Sequence, residues 1–271
     1  MNPILMAVIL VVGIAIICSV MLVIASTVMA VPEDPKFPAI RECLPGANCG
    51  ACGYAGCDGY AQALSEGGVK PNLCVPGGAG AAAKVAAILG VEAGDVETVA
   101  AFVACQGGCV HSGKKCDYAG IPTCAAVNLM FAGDGACSYG CLGYGDCAHV
   151  CPNQAITVID GLARVIPPRC SGCGLCVKTC PNHLIRLLPA SQRFAVSCSS
   201  EDKGVITKKA CSTGCIGCKK CEKTCPNGAI SVVNNLARMD PARCTQCGAC
   251  ADVCPTGALR TLVYPAHASG S

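Results

Sequence analysis

The sequence predicts an N-terminal transmembrane helix followed by a string of small α+β modules, and three observations predict it. The chain opens with a long uncharged run, repeats a four-cysteine run ending in Cys-Pro, and is poor in the large side chains that fill conventional cores. Of its 271 residues, 28 are Cys and 32 are Gly, while Trp is absent and Phe numbers only 4. Small domains this thin in apolar bulk fold when covalent or metal staples supplement the core.

The anchor is the first element. No charged residue lies between Pro3 and Val31, and a helix of about 20 apolar residues crosses a bilayer, so the run from Ile4 spans with some tilt. A cleaved signal peptide is the alternative. The missing Lys or Arg n-region and the length of the apolar run argue against it. Lys36 and Arg41 follow the run, which points to a body on the cytoplasmic side of the cell membrane. Residues 1–31 are therefore the expected single-pass anchor, with the lipid bilayer as a partner. Pro32, Pro35 and Pro38 predict a stiff, extended linker over 32–42.

The recurring element is C-x2-C-x2-C-x3-C-P. It occurs as Cys170, Cys173, Cys176 and Cys180, as Cys215, Cys218, Cys221 and Cys225, and as Cys244, Cys247, Cys250 and Cys254. A looser run, Cys137-x3-Cys141-x5-Cys147-x3-Cys151, precedes Pro152. This is bacterial ferredoxin spacing, in which three cysteines hold one [4Fe-4S] cube and the fourth ligates its neighbour. A disulfide framework requires no such phase. Zinc is the alternative for C-x2-C pairs, but zinc knuckles rarely carry the third close cysteine and the trailing proline. Crossed ligation predicts four clusters: Cys137, Cys141, Cys147 with Cys180; Cys170, Cys173, Cys176 with Cys151; Cys215, Cys218, Cys221 with Cys254; and Cys244, Cys247, Cys250 with Cys225.

The runs form an internal duplication. One constant shift carries Cys137, Cys141, Cys147 and Cys151 onto Cys211, Cys215, Cys221 and Cys225, and carries CPNQAITVIDGLARV onto CPNGAISVVNNLARM. Each such segment reads as strand, turn, strand, with Ile156, Val158, Ile230 and Val232 as core contacts. Two tandem ferredoxin domains are expected over 131–190 and 205–265, with a linker at 191–204 and a tail at 266–271. Cys218 falls opposite Tyr144. The first copy is therefore expected to recruit Cys137 through a longer loop, leaving Cys211 spare in the second. Cys18, Cys43 and Cys198 also have no assignment.

Residues 43–90 read as a separate single-cluster domain. Cys49, Cys52, Cys57 and Cys74 lie on a Gly-rich stretch followed by a helix ended by Gly67-Gly68. Glycine lets amide N–H groups point at an anionic cluster, and Gly50, Gly53, Gly172 and Gly217 are the expected donors. Residues 91–130 form a connector, and the Ala-rich composition over 79–104 reads as helical. The connector carries Cys105, Cys109, Cys116 and Cys124, whose irregular spacing suits an additional cluster, a zinc site or a loop of structural thiols. The expected cofactors are five [4Fe-4S] clusters, with a sixth if these four thiols hold one.

Other chemistries find little footing. The fragment from Gly78 to Ala83 follows no strand and makes a poor dinucleotide fingerprint, so no flavin or NAD is expected on this chain. Cys211-x3-Cys215-x2-Cys218 has the spacing of enzymes that cleave S-adenosylmethionine, but the chain behind it is too short for their barrel. No catalytic nucleophile and base are evident, and the histidines form no cluster. A formal charge of +3 with no long basic run gives no argument for nucleic acid, and no nucleic-acid partner is expected. Lys203, Lys208, Lys209, Lys219, Lys220 and Lys223 gather near the second ferredoxin entry, as an acidic donor would require; an ordinary solvated face is the plainer reading.

The order of parts resembles that of the B subunits of the Rnf complex. An apolar anchor, the LPGANCGACGYAGCDGYA module, the ACSYGCLGYGDCAHVCP run and further ferredoxin repeats carry that resemblance over nearly the whole chain. It implies a membrane assembly that couples ferredoxin oxidation and NAD reduction to ion transport. This chain would be the cytoplasmic electron relay, with reduced ferredoxin as donor and the flavin, NAD and ion sites on other subunits. The polyferredoxin subunit of another membrane redox enzyme, or an iron-sulfur sensor or scaffold without electron throughput, are the rival readings.

Overall fold

The computed structural model describes residues 3–28, 35–96 and 98–262. Helix α1, Pro3–Val28, stands alone. None of its span Val8–Ala25 is covered by the rest of the chain, and the helix is long and apolar enough to cross a membrane. Part of the expected linker, including Pro32, lies outside the described residues, as do the end of the second ferredoxin segment and the tail.

The extended linker does not persist. Lys36–Cys43 form helix α2, because Pro38 falls in the first turn, where backbone N–H groups have no intrahelical acceptor to lose. Ile40 is fully buried in a small core with Tyr60, Leu64 and Val85. Helix α2 thereby packs against α3, Cys57–Glu66, and α4, Gly78–Leu89. Helix α3 stops at Gly67, whose φ is +89°.

The helical reading of 79–104 fails beyond α4. Val99–Val103 form strand β1, which pairs antiparallel with β4, Ile185–Pro189. A partner strand decides the matter, since Val99, Phe102 and Val103 suit a pleated, half-buried surface. Between these strands lie α5 (Cys124–Asn128), α6 (Asp146–His149), the hairpin of β2 (Ile156–Ile159) and β3 (Leu162–Val165), a 3-10 turn at Pro167–Arg169, and α7 (Leu175–Thr179).

The same plan follows a second time. The segment expected as a linker supplies β5, Phe194–Val196, which pairs with β8, Leu259–Thr261. Inside that pair lie α8 (Gly204–Ala210), α9 (Lys220–Thr224), the hairpin of β6 (Ile230–Val233) and β7 (Leu236–Met239), and α10 (Ala249–Asp252). Ile156 and Ile230 are buried at equivalent hairpin positions, and Val158 and Val232 are half-buried. Gly143 and Gly217 also correspond. Their φ angles are +77° and +64°, and a Cβ would meet the carbonyl oxygens of Gly161 and Asn235 at 2.6 and 2.8 Å.

The two copies pack on one another. Phe102 and Ala104 of the first share a core with Ala195 of the second. Ser199 Oγ donates to the Ala104 carbonyl at 3.1 Å, and Gln106 Nε2 donates to the Gly257 carbonyl at 3.1 Å.

Candidate metal centres

All 28 cysteines carry free thiols. The ones that matter gather in fours around small chambers. Cys49, Cys52, Cys57 and Cys74 form one group: burial pushes the Cys74 thiol up against the Gly77 amide, and neighbouring Cys57, Cys52 and Cys49 push it further. The Asn48 side chain fixes the start of α3 by accepting from the Cys57 amide at 2.8 Å. Tyr60 clamps the loop before Cys74, donating to the Lys70 carbonyl at 2.8 Å and accepting from the Leu73 amide at 3.3 Å.

In the first ferredoxin copy, Cys176 is pushed up to about 11 by burial and then by Cys170, Cys173 and Cys151. That is the crossed quartet the spacing predicts. In the second copy, Cys215, Cys218, Cys221 and Cys254 ring one chamber of ≈ 360 Å³, while Cys225, Cys244, Cys247 and Cys250 ring another of ≈ 330 Å³.

The remaining quartet differs from expectation. Cys141, Cys147 and Cys180 share their ≈ 420 Å³ chamber with Cys124, not with Cys137. Cys147 is pushed up to about 12 by burial and by Cys141, Cys124, Cys180 and Cys176 in that order. Two devices aim Cys124. Thr123 caps α5 by accepting from the Ala126 amide at 3.2 Å, and the Asp146 carboxylate accepts from the amides of Cys124 and Ala125 at 3.0 and 3.1 Å. Asp146 directly precedes Cys147, so one turn positions two thiols. Cys124 therefore stands in for the thiol missing at Tyr144, whose hydroxyl donates to Asp134 Oδ2 at 3.1 Å.

The connector thiols do not form a group of their own. Cys105 and Cys124 are buried against different chambers, whereas Cys109 and Cys116 are exposed. Cys137 lies elsewhere, in a chamber of ≈ 350 Å³ with Cys105, Cys198 and Cys211. Cys211, expected as a spare, is thus buried beside three other thiols. The signal for this was present in the duplication, which aligns Cys137 with Cys211 and leaves both outside the regular runs.

Sulfur hydrogen bonds repeat as the sequence does. At three of the four Cys-Pro pairs the amide four residues beyond the Cys turns back onto it: Ala155 to Cys151 at 3.2 Å, Leu184 to Cys180 at 3.5 Å and Ala229 to Cys225 at 3.2 Å. Proline ends the preceding helix and starts the turn that brings this amide round. The expected donor Gly53 instead turns its amide to the Gly50 carbonyl at 3.2 Å. At Cys225 burial pushes the thiol up, yet the amides of Ala229, Asn227, Ile230 and Gly228 bring it below its ordinary value. Amides aimed at sulfur favour the thiolate that a metal requires.

This donor set fits [4Fe-4S] cubes better than single ions. A zinc ion draws four ligands to about 2.3 Å, but among the described residues no three His, Cys, Asp or Glu side chains are placed to hold one metal ion. Four thiols around a chamber, backed by amides, suit a cube with a thiolate at each corner.

Comparison with known proteins agrees. A family model for an Fe-S cluster matches residues 44–76. Two models described as 4Fe-4S dicluster domains match 214–258 and 169–229, and an LdpA Fe-S cluster-binding domain matches 137–190. The similar whole proteins are B subunits of ion-translocating complexes. To that of the Na(+)-translocating ferredoxin:NAD(+) oxidoreductase complex of Acetobacterium woodii the chain is 43% identical over 224 residues, covering 82% of this chain and 67% of that protein. To that of the proton-translocating ferredoxin:NAD(+) oxidoreductase complex of Clostridium ljungdahlii it is 43% identical over 246 residues, covering 90% and 87%. To that of the ion-translocating oxidoreductase complex of Methanosarcina acetivorans it is 40% identical over 234 residues, covering 86% and 89%. An apolar helix apart from the body, thiol quartets in tandem ferredoxin copies and relatives matched over most of both chains lead to one conclusion: this is a membrane-associated iron-sulfur electron-transfer protein, belonging to the family of B subunits of ion-translocating oxidoreductase complexes.

Proposed function

We propose that the chain receives single electrons from reduced ferredoxin at its second ferredoxin copy and relays them, on the cytoplasmic side, toward the membrane subunits of a ferredoxin:NAD oxidoreductase that moves ions. The observation that carries this reading is the order of the thiol quartets. The Cys49 group belongs to the module next to the anchor. It meets the Cys170 run, where Lys178 Nζ donates to the Cys49 carbonyl at 3.3 Å and a Cβ on Gly172 would come within 3.1 Å of Val75. The Cys170 and Cys124 groups adjoin through α6 and α7. The second copy lies beyond.

Bound cubes supply one-electron storage at each quartet. The chain's own groups set the terms: amides on sulfur favour the more reduced state, and burial of Cys147, Cys176 and Cys221 excludes water. In this reading the chain turns over no substrate, and nicotinamide and flavin chemistry belong to partner subunits.

Electron entry is assigned to the second copy because its sulfurs reach the surface. Cys218 and Cys247 are exposed, whereas their counterparts in the first copy are Tyr144 and a half-buried Cys173. Lys219 and Lys220 line the Cys218 chamber. Lys203, Lys208, Lys209 and Lys223 are also exposed, beside Val205 and Ile206, which are 72% and 52% exposed. Exposed lysines next to exposed apolar side chains on α8 suit an acidic ferredoxin.

The test is anaerobic rapid mixing of the loaded chain with reduced ferredoxin. Lys219→Glu with Lys220→Glu is expected to slow cluster reduction roughly tenfold at low salt, and the deficit should shrink as salt rises. An unchanged rate at low salt would overturn this docking face. Failure of the wild-type chain to accept electrons at all would favour a sensor or scaffold.

A further inference from the structure

Resting on the iron-sulfur reading above, we propose that Cys105, Cys137, Cys198 and Cys211 hold a further [4Fe-4S] cluster at the junction of the two ferredoxin copies. Each copy contributes two of the thiols, and the two pairs are related by the duplication. Cys105 and Cys198 each follow the first strand of their copy, β1 and β5. Cys137 and Cys211 each stand four residues before the first thiol of the internal run, Cys141 and Cys215.

The hydrogen bonds repeat as well. Cys105 Sγ accepts from the amides of Gly107 and Cys141 at 3.3 and 3.4 Å. Cys198 Sγ accepts from the amides of Ser200 and Cys215 at 3.5 and 3.2 Å. Gly107 and Ser200 lie two residues beyond their cysteines, and Cys141 and Cys215 are equivalent under the shift. The strand exits correspond too, with Ala104 and Ser197 amides donating to the Leu184 and Ala258 carbonyls at 2.8 and 2.7 Å. Two thiols from each half of a repeat, with Cys105 and Cys198 backed by amides as in the ferredoxin quartets, make a built site.

Two further observations point to an occupant. The chamber is lined by four thiols, as are those of Cys141 and Cys244. Its wall includes Ser197, 1% exposed, whose Oγ has no hydrogen-bond partner among the described residues. A buried hydroxyl left without a partner is destabilising, and a cluster sulfur would accept from it. Ser197 is thus a positioning residue for this cluster.

The location gives the site its purpose. Gly140 lines both this chamber and the Cys124 chamber. The amides of Cys141 and Cys215, ligands of the flanking quartets, point at its sulfurs. A cube here makes one continuous series of the two ferredoxin copies. It leaves Cys109 and Cys116 without a metal role.

The test uses the full chain, reconstituted with iron and sulfide without oxygen, and counts iron, sulfide and zinc. Wild type is expected to hold about 24 irons, and Cys198→Ala with Cys211→Ala about 20, with no zinc in either. Cys109→Ala with Cys116→Ala is the control and should match wild type. A Cys198/Cys211 variant with the full iron complement, a control that loses about four irons, or stoichiometric zinc would overturn the site. If the double variant loses all its iron by misfolding, Ser197→Ala decides. It should keep its iron but shift one component of a potentiometric titration to lower potential, and an unshifted titration would overturn the proposal. These counts are independent of ferredoxin reduction, so the relay reading and this site fail separately.

Discussion

At the residue scale, the thiols divide by what surrounds them. Cys105 and Cys147 are pushed up to about 12, first by burial, and Cys221 to about 11 for the same first reason. Their ordinary value is 9.0, so in the metal-free fold they keep protons that an unfolded chain would release. A raised folded-state value stabilises that fold fully below pH 9 and loses its effect as pH climbs toward 12. The urea midpoint of the metal-free chain should therefore fall between pH 9 and pH 11; a flat or rising midpoint contradicts the burial. Metal loading runs the other way, because every ligand must shed its proton. Asp146 is the other residue whose role is sharp. Asp146→Ala removes the acceptor for two α5 amides, and about four irons should be lost as Cys124 swings away. Full iron in that variant would show that Thr123 suffices to hold the helix.

At the element scale, Tyr60 ties α3 to the Cys74 loop with two hydrogen bonds while fully buried in the α2–α3–α4 core. Tyr60→Phe keeps the ring and strands the Lys70 carbonyl, so thermal unfolding of this module should come earlier by about 1–2 kcal/mol. Calorimetry of the loaded chain checks it, and an unchanged transition would mean solvent already serves that carbonyl. The hairpins β2–β3 and β6–β7 were legible because alternation and a turn lie within one short segment. Strands β1 and β5 were not. Their partners lie far along the chain, at β4 and β8, and Ala-rich composition around β1 favours helix until a partner is supplied. The same distance hid Cys124, which no local spacing links to Cys141. It hid Cys105 and Cys198 too, whose equivalence follows the unread strands rather than the readable runs.

At the scale of the whole molecule, the anchor and the body are separable, and the boundary is set by packing rather than by composition. Helix α1 makes no buried surface with the rest of the chain over Val8–Ala25. By sequence the body begins after the prolines, but α2 belongs to the Cys49 core, where Ile40 is fully buried and Phe37 packs alongside. Arg41 also pairs with Asp58 of α3. A chain starting at residue 35 should leave the membrane fraction with its iron unchanged. A chain starting at residue 42 exposes the underside of α3 and forfeits about 2–5 kcal/mol of large-side-chain burial, enough to unfold a module this small. It should lose the Cys49 cluster, about four irons, and keep those of the ferredoxin copies, whose cores are separate. Equal iron in the two truncations would mean that cluster ligation by Cys49, Cys52, Cys57 and Cys74 alone holds the module. The Gly-rich loop, and not α2, would then be the true foundation of the membrane-proximal end.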